Sequence, residues 1–149
     1  MNVRRLASLI LSSCVSLSAA AAGIEGPTWT ATSVRGLEKG LLPSGAGAIT
    51  VTFQDGRVGG FSGCNRFSGT YVLQSGGLLI SHLAASLSEC YDGSMKIEEA
   101  FIHTLEGMFR PILKGDHLTL LSKQGTPVLQ FKAQSVSPKR MSRVESEVR

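Results

Sequence analysis

The chain has 149 residues, a formal charge of +4 and a pI of about 9.2, a length that suits one domain. The positive balance belongs to the ends. Arg4 and Arg5 open the chain and Lys139, Arg140, Arg143 and Arg149 close it, whereas residues 23–134 carry nine basic and nine acidic side chains. A nucleic-acid-binding domain needs a basic face on its folded body, so no nucleic-acid partner is expected.

Residues 1–22 read as a secretory signal. Two arginines precede the largely apolar run Leu6–Leu17, and Ala19–Ala22 supplies small residues for cleavage after Ala22. The apolar run is too short and too rich in serine for a membrane span of about 20 residues, so no transmembrane segment is expected. A second reading stays open: Leu11-Ser12-Ser13-Cys14 resembles a lipobox, which would make a lipidated Cys14 the mature N-terminus. Either way the protein is exported to the periplasm or cell envelope. Cleavage leaves Cys64 and Cys90 in an oxidising compartment, where an even pair reads as one disulfide. The alternative is two buried free thiols.

The domain proper is expected over residues 23–134. Trp29–Val34 forms a first strand anchored by the only tryptophan, and a Gly/Pro/Ser-rich loop follows over 36–47. Ile49–Gln54 alternates apolar and polar residues, the mark of a half-buried strand. Asp55-Gly56 suits the positive-φ positions of a two-residue hairpin turn, and Arg57–Phe61 returns. Between Gly59 and Tyr71 the chain reads G-G-F-S-G-C-N-R-F-S-G-T-Y. Its glycines predict a tightly bent, crowded stretch packed by Phe61, Phe67 and Tyr71, with Asn65 suited to a left-handed or side-chain-bonded corner.

Strands follow at Thr70–Gln74 and Leu78–Leu83. From Ser94 to Met108 the period becomes helical, with Ile97, Phe101, Leu105 and Met108 on one face. Glu98 and Glu99 fall where the helix dipole favours negative charge, and Gly107 and Pro111 bracket the helix end. Arg110–Leu113 leads into a turn at 114–116, then come strands at His117–Leu121 and Val128–Phe131. Residues 135–149 lack apolar period and are expected to be a disordered charged tail. Strands joined by short turns predict an antiparallel meander with the helix packed on the sheet.

Gly60, Gly63, Cys64, Asn65, Gly69 and Tyr71, in the run G-F-S-G-C-N-R-F-S-G-T-Y, resemble the signature of the META domain (HslJ-like) family. Trp29, the Asp55-Gly56 hairpin, the later Cys90 and the run Gly115–Leu120 stand in the order that family shows, over about residues 29–132. Ser86–Cys90 and Ala31 depart from its usual pattern. The resemblance implies an α+β fold, with an antiparallel β-meander curved into a half-barrel against one packed α-helix. It also implies an exported envelope protein linked to heat stress and antibiotic resistance, and it supplies no catalytic residues.

The chemistry-bearing side chains are few. His82, His103 and His117 lack the close pairing that zinc sites use, so no metal or cofactor is expected. A hydrolase reading would make Cys64 a nucleophile with His82 as base, leaving Asp116 as a further polar candidate. A disulfide at Cys64 opposes it. The leading expectation is a monomeric, non-catalytic domain that binds an envelope protein or an apolar ligand. Its candidate groove comprises Phe53, Phe61, Phe67, Phe101 and Leu105, with Tyr71 and Leu79 beside them.

Overall fold

A computed structural model describes residues 21–90 and 93–135. Most of the leader, Cys14 within it, and the charged tail from residue 136 onward lie outside the described residues. A one-turn helix α1 (Ala21–Ile24) precedes the strands β1 (Trp29–Val34), β2 (Thr50–Gln54), β3 (Arg57–Phe61), β4 (Arg66–Gln74) and β5 (Gly77–Ala85). Helix α2 (Ser94–Leu105) then leads to β6 (Gly107–Lys114), β7 (His117–Leu121) and β8 (Pro127–Ala133).

Every strand pairs antiparallel with the next in sequence, and β8 returns to β1, with Ala31 opposite Phe131 and Trp29 opposite Ala133. The eight strands therefore form a ring. The ring is uneven: β1 meets β2 only through Trp29–Val51 and Thr30–Thr50, and β5 meets β6 only from Leu78 to Ile80. The meander with one packed helix matches the expectation, and the β1–β8 ladder joins its two ends.

Alternation decides which side chains fill the ring. Val51 and Phe53 of β2, Leu78 and Ile80 of β5, Leu118 and Leu120 of β7, and Leu129 and Phe131 of β8 are buried, and their neighbours are more exposed except Val128, which is also buried at the start of β8. Each hairpin turn lies at one mouth of the ring. At Asp55-Gly56 both residues have positive φ, 49° and 76°, as a primed two-residue turn requires. Ile24 closes that mouth at 1% exposure, and its carbonyl accepts a 2.8 Å hydrogen bond from Trp29 Nε1. Helix α2 covers the opposite mouth, burying Phe101 and Leu105, with the Phe101 ring edge-on to Phe67 at 5.6 Å.

Four expectations need correction. Helix α2 stops at Leu105, and Met108 belongs to β6. Gly107 has φ 147° and opens a strand rather than capping the helix beyond it. Pro111 sits inside β6, opposite Leu120, past the last β5–β6 pair at Phe109, so its missing N–H costs no ladder bond on the β5 side. The Gly/aromatic stretch is also mostly strand: only residues 62–65 turn, since β3 runs through Gly59 and Gly60 and β4 through Gly69.

The strand glycines serve close approach rather than bending. A Cβ on Gly60 would lie 1.9 Å from the Thr50 carbonyl oxygen, which is rigid backbone of the adjacent strand. Gly60→Ala should therefore lower unfolding stability by about 3 kcal/mol or prevent folding. Gly40→Ala, where nothing lies within 4 Å of the new methyl, should stay within about 1 kcal/mol of the parent. Urea unfolding of the two variants measures the contrast.

Candidate functional site

The turn between β3 and β4 brings the polar residues of the signature together. Gly63 takes φ 98°, a conformation that side chains rarely adopt, so the left-handed position of this corner is Gly63 and not Asn65. Ser62 and Asn65 are buried, at 0% and 4% exposure, and must find partners inside the protein.

Glu98 is a partner of both. Its Oε2 accepts from the Asn65 backbone N–H at 2.9 Å and contacts the Ser62 hydroxyl, and its Oε1 accepts from Asn65 Nδ2 at 3.0 Å. The other side of the Asn65 amide holds the segment after β5. Its Oδ1 accepts from Ser86 Oγ at 3.0 Å and from the Ser88 N–H at 2.9 Å, while Nδ2 also donates to the Ser88 carbonyl at 3.1 Å. One buried side chain thus joins the β3–β4 corner, the segment after β5 and helix α2.

Cys64 and Cys90 form a disulfide, with Cα atoms 5.9 Å apart, between the same corner and the approach to α2. Asn65 Nδ2 lies 3.2 Å from Cys64 Sγ, so the crosslink and the polar cluster share a wall. Among the described residues no buried side-chain nitrogen or oxygen lacks a partner.

The signature reaches the opposite mouth through Tyr71. Its hydroxyl donates to the Glu25 carboxylate, its N–H bonds the Gly56 carbonyl at 2.9 Å, and its ring packs edge-on against Phe53 at 5.2 Å. Burial, and next the hydrogen bond to Glu25, push the Tyr71 hydroxyl from 10.0 up to about 12. The Gly56 backbone opposes this, and the negative charges of Glu25 and Asp55 add to it.

The residues named for an apolar groove are placed otherwise. Phe53, Phe67, Phe101, Leu105 and Tyr71 are all buried in the core, and Phe61 and Leu79 are half-buried. A sheet that closes on itself turns its concave face inward, and the five buried side chains fill that interior, whereas Phe61 and Leu79 alternate with inward-facing residues. The histidines are dispersed: His82 bonds Thr70 Oγ1 and Ser81 Oγ, His117 pairs with Asp116 at 2.7 Å, and His103 lies on the outer face of α2. No group of three or more potential metal-ligating side chains occurs among the described residues.

Glu98 is the residue that sequence reasoning assigned differently. It stands one turn inside α2, whose first turn contains no acidic residue, so its carboxylate serves Asn65 rather than the helix dipole. Its position three residues before Phe101, on the flank of the buried face, was the available signal.

The sequence profile of a family described as META domain matches residues 22–135. Two solved structures are similar in fold. An NMR structure of a protein from Burkholderia xenovorans has 22% identity and a TM-score of 0.62, covering 90% of this chain and 99% of that one. A second NMR structure has 23% identity and a TM-score of 0.57, covering 75% of this chain and 92% of that one. No curated protein matches the chain.

Removing the Glu98 carboxylate takes the charged acceptor from both buried Asn65 donors, leaving the N–H with the Ser62 hydroxyl and Nδ2 with the Ser88 carbonyl and the Cys64 sulfur. Glu98→Ala should cost about 2–4 kcal/mol in urea unfolding, while Glu99→Ala, at an exposed position, should stay within about 0.5 kcal/mol of the parent. Tyr71 gives a pH signature. Its folded pKa lies above its unfolded value, so its contribution is full below pH 10 and is lost as pH rises from 10 towards 12. Tyr71→Phe should flatten the fall of stability across that interval, measured by urea unfolding at successive alkaline pH values.

Proposed function

The chain belongs to the META domain family, and on that footing we propose that it is an exported, non-catalytic envelope domain that binds a partner protein or an apolar ligand. Its role is to support the envelope under stress such as heat or antibiotic exposure. The observation that carries this reading is the fate of the signature's reactive side chain. The Cys64 sulfur is bonded to Cys90, and a sulfur held in a disulfide offers no thiolate for attack. Ser62, Asn65 and Glu98 likewise spend their polar atoms on one another and on the Ser86–Ser88 segment.

Export is supported by the charged and apolar leader, the alanine cluster and the disulfide, which belongs to an oxidising compartment. Cleavage after Ala22 would leave one residue ahead of the buried Ile24, so the fold keeps its plug. No helix among the described residues is long and apolar enough to cross a membrane.

Cross-linking in intact cells, with identification of the trapped species, tests the reading. The mature protein should begin at Gly23, and a reproducible envelope protein or lipid adduct should be recovered with it. Turnover of a substrate by the oxidised protein that is lost on changing His82 or Asp116 would replace this reading with an enzymatic one.

A further inference from the structure

Among the described residues, the edge of strand β5 away from β4 has no strand beside it over its last residues. The strand pairs with β4 along its length but with β6 only from Leu78 to Ile80. Beyond that point β6 has ended and the chain has gone round through α2. A bulge opposite Gly69, at His82 with φ 57°, resets the alternation. After it, the Ser86 N–H donates to the Arg66 carbonyl at 2.9 Å. Period-two alternation back from Ser86 then turns the backbone N–H and C=O groups of Leu83 and Ala85 away from β4, towards α2.

Between this edge and α2 lies a shallow groove of about 470 Å³, with Ala85, Met95 and Ile102 as its apolar lining and Glu98, Glu99 and Glu106 around it. Met95 is 50% exposed, and Leu87, two residues beyond β5, is 99% exposed. Lys96 is the one ammonium among three carboxylates, with His103 beside them.

We propose that this groove takes an extended peptide segment as an added strand on Leu83–Ala85, with an apolar side chain against Ile102 and Met95 and lysine or arginine facing Glu99 and Glu106. The proposal rests on the reading that the domain binds rather than transforms its partner. Main-chain hydrogen bonds at an open strand edge supply affinity, and alternate side chains supply specificity. Charge decides the occupant: like-charge contact with the carboxylates opposes an acyl chain bearing an anionic headgroup, whereas a basic apolar segment complements them.

The test uses the isotope-labelled, oxidised chain and a short synthetic peptide of alternating lysine and valine, with a glutamate–valine peptide and phosphatidylglycerol vesicles as comparisons. The lysine peptide should shift the amides of Leu83, Ala85 and Ile102 and slow hydrogen exchange at Leu83 and Ala85. The glutamate peptide should bind at least about tenfold more weakly. The double variant E99K/E106K, changed only at exposed positions, should keep the parent's spectrum elsewhere and reverse the preference.

Equal binding of both peptides, shifts confined to another surface, or vesicles perturbing these amides while the peptide does not would overturn the assignment. If the lysine peptide leaves β5 unmoved while cross-linking in cells still traps a partner, this groove alone is wrong. If neither occurs, the binding reading falls with it.

Discussion

The fold depends on a carboxylate meeting a buried amide. Asn65 is 4% exposed and Glu98 lies 33 residues away in sequence, on the helix that follows the fifth strand. Hydrogen bonds to a charged acceptor are stronger than neutral ones, and a buried donor left alone costs its full desolvation. This asymmetry favours one position for α2: any shift of the helix that withdraws Glu98 takes the charged acceptor from the Asn65 and Ser62 donors together and leaves them only neutral partners. The disulfide acts differently. It shortens the free chain between residues 64 and 90, which in a chain-entropy account stabilises by about 3.5 kcal/mol, and it leaves the choice of helix position to the polar cluster.

The ring and its two closures divide the work. Strand alternation supplies an apolar interior, but a ring of eight strands has two mouths, and apolar side chains at either would meet water. Helix α2 covers one with Phe101 and Leu105, and Ile24 covers the other. Signature residues reach both mouths: Asn65 holds the helix, and Tyr71, through Glu25, holds the N-terminal segment. The interval from Asn65 to Tyr71 thus spans β4 from the corner under α2 to the level of the Asp55-Gly56 turn, where Tyr71 N–H bonds the Gly56 carbonyl.

Much of this was legible in the residues. The hairpin at Asp55-Gly56, the strands from Trp29 and His117, and the start of α2 followed from alternation, turn chemistry and helical period. The helix end was misread because Met108 continues the apolar helical spacing, yet in β6 the strand period buries Phe109 instead and leaves Met108 37% exposed. The apolar groove was misread because closure of the ring depends on pairing between residues 29–34 and 129–133, and no local pattern reports which strands become neighbours. Glu98 escaped for the same reason: its partner is distant in sequence. The free edge of β5 likewise becomes visible only once β6 is placed.

The pairing of the first strand with the last also sets a timetable for the chain. Trp29 cannot find its ladder partner Ala133, nor Ala31 its partner Phe131, until nearly the whole domain has been made. Contacts between such distant segments form slowly, because loop-closure entropy must be met before they stabilise anything. Until then β1 and β7 each present an open edge, which is an invitation to pair with another chain. The vulnerable moment of this protein is therefore its birth, and a helper that shields strand edges in the compartment where it folds would matter more to it than to a protein built from local contacts.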